Sequence, residues 1–404
     1  MVRKLIEKNV DIYNYPDEFE AHSGSLTIGD LHGNAIKLLH FLLRHAVIKF
    51  KDGISEPATY YHKFVTLYDQ CGDITRLYLD KNYESALQKL PEIISQFNQL
   101  VSQLEIKNKF VLVRLVGDEL ADRGSNDYLT LRLLDLLHKN NIQTTIIMSN
   151  HNSEFIKAYE NLRQHNSFDP QGGIMPEQKC SLYGLKLLFD EGIISPAELA
   201  SLVNNTWLPA LKILDYTLNE QGICLFTHAP VRFDIIQLIA SHLGVNYHDC
   251  SKEMLGTTID HINARFQQIL KENTAHDWLN TTRIDQPDQM TDAEINKAPL
   301  IYIIWNRWNA SVDTANARPA FVNNYQVCYV HGHDPFQSLF AQVINLDTPC
   351  GKLPRRELQR NIQRATQIIM NDGYERMLKA DVRQYLADVT RYKVLDSDES
   401  GLIT

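Results

Sequence analysis

The sequence predicts an α/β fold, and three observations carry that prediction. Five short apolar runs rich in Val and Ile recur along the chain, each ending in ionisable or amide side chains. Between them the apolar residues fall at the three-and-four spacing of amphipathic helices. Neither internal repeats nor low-complexity tracts interrupt this alternation. Short β-branched runs read as buried strands, and strands separated by helices pack as layered α/β structures.

In chain order, residues 26–28 form the first run and lead into Gly29-Asp30-Leu31-His32-Gly33-Asn34. Flanking glycines permit the tight strand-to-loop turn that aims an Asp and a His at one point. Leu87, Leu90, Ile94, Phe97, Val101 and Leu104 then line one face of a helix predicted over about 84–104. Residues 110–116 form the second strand, ending in Gly117-Asp118, and 144–148 the third, ending before Asn150 and His151. Helical text follows over 185–189, 197–203 (after Ser195-Pro196) and 210–218. Strand 223–226 leads to His228, helices cover 235–243 and 259–270, and strand 327–330 leads to His331 and His333. The tail from about 355 to 383 opens with Arg355, Arg356 and Arg360 and then looks amphipathic.

A chain of 404 residues accommodates one large domain with insertions, or two domains. Its formal charge of −9 disfavours a nucleic-acid partner, because the overall field repels a phosphate backbone. Six scattered cysteines with no Cys-x-x-Cys pair fit a reducing compartment better than a disulfide framework. The N-terminus lacks a secretory signal, and no apolar run approaches the roughly 18 residues that span a bilayer. A soluble protein without a transmembrane segment is the expectation.

In open α/β folds, sites form beyond the carboxyl ends of the strands. The strands here deliver Asp30, His32, Asp118, Asn150, His228 and one of His331 and His333 to such a place. These oxygen and nitrogen donors, with no thiolate, suit Mn²⁺, Fe or Zn²⁺. Their number suggests two ions sharing a carboxylate, an arrangement that makes hydroxide available and clamps a phosphoryl group for in-line attack.

Three of these stretches resemble the signatures of the phosphoprotein phosphatase branch of the dinuclear metallophosphoesterases. Gly-Asp-x-His-Gly stands as Gly29 to Gly33, Gly-Asp-x-x-Asp-Arg-Gly as Gly117 to Gly124, and Gly-Asn-His-Glu as Ser149-Asn150-His151-Asn152. Thr227-His228-Ala229 is similar to the next metal-binding His of the family. His331-Gly332-His333-Asp334-Pro335 resembles the Gly-His-Thr-Pro loop of its bacterial members. Asn345-Leu346-Asp347-Thr348, with Gly351-Lys352-Leu353 after it, resembles the closing strand. The resemblance implies an α/β/β/α sandwich with helical insertions, two divalent ions (Mn²⁺ expected, Fe or Zn²⁺ as alternatives), and a phosphoprotein substrate. It gives Asp30 and His32 to the first ion, Asp118 to the bridge, and Asn150, His228 and His333 to the second, with His331 a weaker candidate. His151 becomes the general acid oriented by Asp122, and Arg123 and Arg307 grip the phosphate. The implied catalytic domain covers 20–354, with a helical insertion at about 50–108 and helical segments at about 180–280. Residues 355–404 form a C-terminal helical extension.

The chain departs from the family pattern in three places. One extra residue separates Asp118 from Asp122; Ser149 and Asn152 replace Gly and Glu; and the connection from Asp30 to Asp118 is long. The inner face of the insertion reads as core cover, leaving its outer face as a candidate partner surface. In style the added helices resemble divergent phosphatases that intracellular pathogens inject into host cells, such as Legionella Wip-type effectors; the expected location is cytoplasmic, or inside a host cell if the chain is such an effector. The leading expectation is a metal-dependent protein phosphatase, with phosphoserine or phosphothreonine favoured and phosphotyrosine the alternative. A bis(nucleosyl) polyphosphate hydrolase and a pseudophosphatase binding module are the competing readings.

Overall fold

Two sheets lie face to face and bring their strand ends to one edge. The architecture is that of a computed structural model describing residues 3–397, except 23, 171–172, 281–283, 285, 309–315, 335–339 and 372–375. Pro335 of the predicted histidine loop therefore lies outside the described residues. The strands are β1 (Arg3–Asn9), β2 (Gly24–Ile28), β3 (Ile48–Phe50), β4 (Leu104–Ile106), β5 (Val111–Leu115), β6 (Thr144–Ile147) and β7 (Leu211–Lys212). Then come β8 (Asp215–Leu218), β9 (Gly222–Phe226), β10 (Phe321–Val322), β11 (Tyr325–His331), β12 (Val343–Asn345) and β13 (Arg391–Ser397). The helices that shape the site are α1 (Ala35–Arg44), α2 (Pro57–Leu79), α3 (Glu84–Leu87), α4 (Leu90–Val101), α5 (Asp127–Lys139), α6 (Asn150–His165) and α7 (Cys180–Asp190).

The first sheet runs β1-β13-β2-β5-β6-β7 and the second β10-β11-β9-β8, with β12 also paired to β11. Strands β2, β5, β6 and β7 are mutually parallel, as are β9, β11 and β12. Between the sheets Val116, Ile147 and Leu395 meet Cys224, Phe226, Val330 and Leu346 in a buried apolar layer. A buried ion pair crosses the same gap. Arg114 of β5 is buried, donates to Asp215 of β8 at 2.8 Å and lies 3.9 Å over the Phe226 ring. Burial opposes ionisation of Asp215, but Arg114 and Lys212 outweigh it and hold its carboxyl below the usual range. Helices cover the outer faces, completing the mixed α/β sandwich. No helix among the described residues is long and apolar enough to cross a membrane.

Several elements differ from expectation for local reasons. The single helix expected over 84–104 is two, because Pro91 starts a new helix at the first turn of α4, and Leu104 belongs to β4. Residues 210–218, read as helical, form β7 and β8: Asp215 to Leu218 alternate in burial and pair with β9. The insertion is tied at its base by the β3–β4 pair, and α2 packs on α4 through Phe64 and Phe97, their rings 5.3 Å apart. The tail is helical over Arg355–Met370 and Arg376–Thr390 but is not helical throughout. It returns as β13, which sits between β1 and β2 because Tyr392, Val394 and Leu395 have a core to enter.

Candidate metal centre

Five of the parallel strands hand polar side chains to the same edge. β2 ends before Asp30 and His32, β5 before Asp118, β6 before Asn150 and His151, β9 before His228, and β11 at His331 with His333 beyond. Asn150 and His151 also open α6, whose free N–H groups and dipole favour an anion. Three of these residues adopt left-handed backbone: His32 (φ 57°), Asp118 (φ 53°) and His333 (φ 61°). Such conformations cost on the order of 1–3 kcal/mol each and persist where surrounding structure over-determines them. Gly332 is fixed by contact instead, since a Cβ there would stand 1.9 Å from Asp30 Oδ1.

Ligand atoms of Asp30, Asp118, His228 and His333 all lie within 4.8 Å of one another, and so do those of His32, Asp118 and Asp122. Asp118 belongs to both groups. His228 Nδ1 sits 2.8 Å from the Val116 carbonyl, which calls for an N–H there and leaves the Nε2 lone pair facing inward. That Nε2 is 3.0 Å from Asn150 Oδ1, 3.5 Å from Asp118 Oδ1 and 3.2 Å from His333 Nδ1. His333 in turn sets its Nε2 3.2 Å from the Trp305 carbonyl, so its Nδ1 lone pair also faces the cluster. Burial pushes both imidazoles below their ordinary range, and it pushes Asp30 well above its own, helped by the charges of Asp347 and Asp118. Asp118 Oδ1 is buried with no hydrogen-bond partner among the described residues. Lone pairs converging without protons are what a cation resolves, and this donor set fits hard divalent ions.

The grouping differs from the expected partition. Asp30 stands with His228 and His333, and its carboxylate accepts the His333 N–H at 3.0 and 3.1 Å. His32 stands with Asp122, 3.3 Å from its Oδ2, while its Nε2 lies 2.8 Å from the Thr348 carbonyl and 3.6 Å from Asp347. His331 is outside both groups: its Nδ1 faces the Gly332 carbonyl at 2.8 Å, and burial pushes it down to about 3.

The stretched second signature is absorbed by two left-handed residues, Asp118 and Ala121 (φ 57°), with the Ala121 N–H held by both Asp127 oxygens at 3.0 Å. Asp122 thereby reaches the site, fully buried. Its Oδ1 accepts from the Arg123 backbone (2.8 Å) and guanidinium (2.7 Å) and lies 3.4 Å from His151 Nε2. Burial works against the Asp122 charge, but His151, His32 and Arg123 prevail and hold its carboxyl well below the usual range. His151 is oriented by its Nδ1 facing the Ala121 carbonyl at 2.7 Å. Arg123 keeps about a quarter of its side chain exposed, and the exposed Arg307 donates to the His333 carbonyl at 2.6 Å.

Five further residues belong to the site, and the sequence alone gave none of them a role there. Glu119, in the lengthened stretch between Asp118 and Asp122, is buried and accepts from Asn152 (2.8 Å) and from the Trp207 indole (2.6 Å); burial pushes it up to about 8. Ser149 and Asn152 cap α6 reciprocally, and the Ser149 hydroxyl takes the Asp118 N–H at 3.1 Å. Lys37, buried on α1, donates to the Asp30 carbonyl at 2.6 Å. Asp347 faces His32, and only its place in the closing-strand motif could have signalled it.

A family model described as the WipA-like phosphatase domain matches residues 112–352. Four solved chains match the fold. One is the phosphatase domain of the Legionella effector WipB, 25% identical with a TM-score of 0.65, over 79% of this chain and 100% of that one. No curated protein matches.

Proposed function

The chain belongs to the family of WipA-like phosphatase domains, and on that premise we propose that it hydrolyses phosphomonoesters on protein substrates with two divalent ions. That it is a phosphatase follows from the family; the metal, substrate and residue roles are our reading. The observation that carries it is Asp118, a buried carboxylate with an unpartnered oxygen at the junction of two lone-pair clusters. When bound there, Mn²⁺ (or Fe or Zn²⁺) would activate water and neutralise charge on the phosphoryl oxygens.

Asp30, His32, Asp118, Asn150, His228 and His333 hold the ions, with Asp122 beside His32. Asp122 keeps the His151 ring in place, and His151 delivers a proton to the leaving oxygen. Arg123 and Arg307 bind the phosphate, guanidinium being a planar bidentate donor. Phosphoserine and phosphothreonine are the favoured substrates, with phosphotyrosine the alternative. Likeness to a domain of a Legionella effector supports action inside a host cell.

Bound metal and Mn²⁺-dependent turnover of p-nitrophenyl phosphate test this reading. Wild-type activity should exceed that of Asp118→Asn and His151→Asn by at least a hundredfold, since general acid–base catalysis alone contributes about 10²–10⁴. Equal activity in all three sinks the proposal, and preferential turnover of a bis(nucleosyl) polyphosphate would reassign the substrate.

A further inference from the structure

A groove of about 770 Å³ has Arg123 in its lining and none of the clustered Asp, Asn and His side chains. That volume is in the range that holds a drug-sized ligand, so it exceeds what a phosphate group needs. Apart from Arg123, Lys352 and Leu353, its walls come from parts of the chain outside the family signatures. Tyr78 lies near the end of α2 and Tyr83 just before α3, their rings 5.0 Å apart and edge to face. Tyr183 of α7 and Leu353, after the closing strand, also line the groove. The helical insertion and the start of the C-terminal segment thus meet over one depression beside the phosphate-binding arginine.

We propose that this groove receives the stretch of substrate protein flanking the phosphoresidue and selects a large apolar side chain in it. The proposal rests on the protein-phosphatase reading above. Three features favour that occupant. First, tyrosines offer broad apolar contact at small entropic cost, while their hydroxyls tolerate a passing backbone. Second, the lining charges cancel apart from Arg123: Arg76, Lys81 and Lys352 stand against Asp80, Glu177 and Glu357. A run of acidic or basic residues therefore gains nothing there, and neither does the polyphosphate of a dinucleotide. Third, the edge-to-face tyrosine pair offers no parallel slot for a nucleobase.

The groove is also fixed relative to the chemistry. At the start of α7, the Ser181 N–H and hydroxyl both donate to the Asp122 carbonyl at 2.9 Å. Asp122 holds Arg123 and faces His151. Binding energy gained along the groove is thereby spent on placing the phosphoryl group, and should appear in kcat/KM.

The test uses the full chain with Mn²⁺ and paired phosphopeptides that share one phosphoresidue and carry Leu or Phe, or Gly or Ser, beside it. Wild type should favour the apolar member at least tenfold in kcat/KM, as expected for burying one large side chain. Tyr183→Ala, and separately Tyr83→Ala, should bring that ratio toward one, while Gln99→Ala elsewhere on the insertion keeps it. A wild-type ratio of one overturns the proposal, as does a Tyr183→Ala effect confined to dinucleotide polyphosphate turnover. Failure of the phosphatase reading looks different: neither p-nitrophenyl phosphate nor any peptide is hydrolysed. Anisotropy of the same labelled phosphopeptides on Asp118→Asn then reads the preference by binding alone, and equal affinities overturn it.

Discussion

Placing at position 152 the Glu of the phosphatase signature that Ser149-Asn150-His151-Asn152 resembles should damage this chain. In the chain as it stands, Asn152 donates to the buried Glu119 carboxyl at 2.8 Å and accepts the Ser149 N–H at 3.1 Å. Asn152→Glu removes the donor and sets a second carboxyl against a group that burial already pushes up to about 8. Losing a hydrogen bond to a neutral carboxyl costs about 0.5–1.5 kcal/mol, and leaving a buried polar group unpaired adds about 1–3 kcal/mol. A destabilisation of about 2–4 kcal/mol is therefore expected. Ser149 takes the Asp118 N–H, so kcat/KM on p-nitrophenyl phosphate should fall together with stability, by about 10–100-fold as for outer partners of metal ligands. Adding Glu119→Gln should return a donor to the pair and restore a substantial part of both quantities, a favourable coupling of about 1–3 kcal/mol. Urea titrations at constant slope measure the stabilities. If Asn152→Glu alone matches wild type, or the double variant is no better than the sum of the singles, the pairing of these two residues is not what supports the site.

Three other outcomes are expected. Burial holds His45 at about 2 and His40 at about 3, so both are neutral in the folded chain and gain protons only on unfolding below about pH 6.5. Stability should thus be lost as pH falls from 6.5 toward 3, with His45 accounting for about 2 kcal/mol by pH 5; urea midpoints for His45→Phe that keep the wild-type pH slope would contradict this. Metal content should drop in His333→Ala and stay at the wild-type level in His331→Gln, because only His333 joins the cluster; equal losses by elemental analysis would count against that division. Asp215→Ala removes the carboxylate that the buried Arg114 charge faces and should cost about 3–5 kcal/mol, with Arg114→Leu in the same chain recovering much of it; thermal melts showing no recovery would place the effect elsewhere.

The strands that deliver the site were legible because each is a short β-branched run ending in a donor, a pattern that local sequence fully contains. The order of the donors along the chain carried the resemblance. What escaped depends on three-dimensional proximity. Lys37 reads as one more solvated helix lysine until α1 packs against the Asp30 loop. Glu119 reads as a spacing error until Trp207, far along the chain, supplies its partner. The grouping of Asp30 with His228 and His333 is set by a backbone N–H bond from His333, which no side-chain pattern reveals. β8 was misread because leucines and a tyrosine fit either period over so short a stretch. β13 was missed because the amphipathic helices before it set the expectation for the tail.

Strand β2, which carries Asp30 to the site, has β5 on one side and β13 on the other. Its second neighbour is thus made almost a whole chain later. During synthesis that flank of β2 stays an open edge, ready to pair with another chain. Pairing at such sequence distance is slow to form. The Asp and His cluster is consequently expected among the last features to be assembled, which refolding followed with and without residues 391–397 would check. Removing residues 391–397, or blocking their entry with a C-terminal fusion that competes for the edge, would reach Asp30 through its own strand.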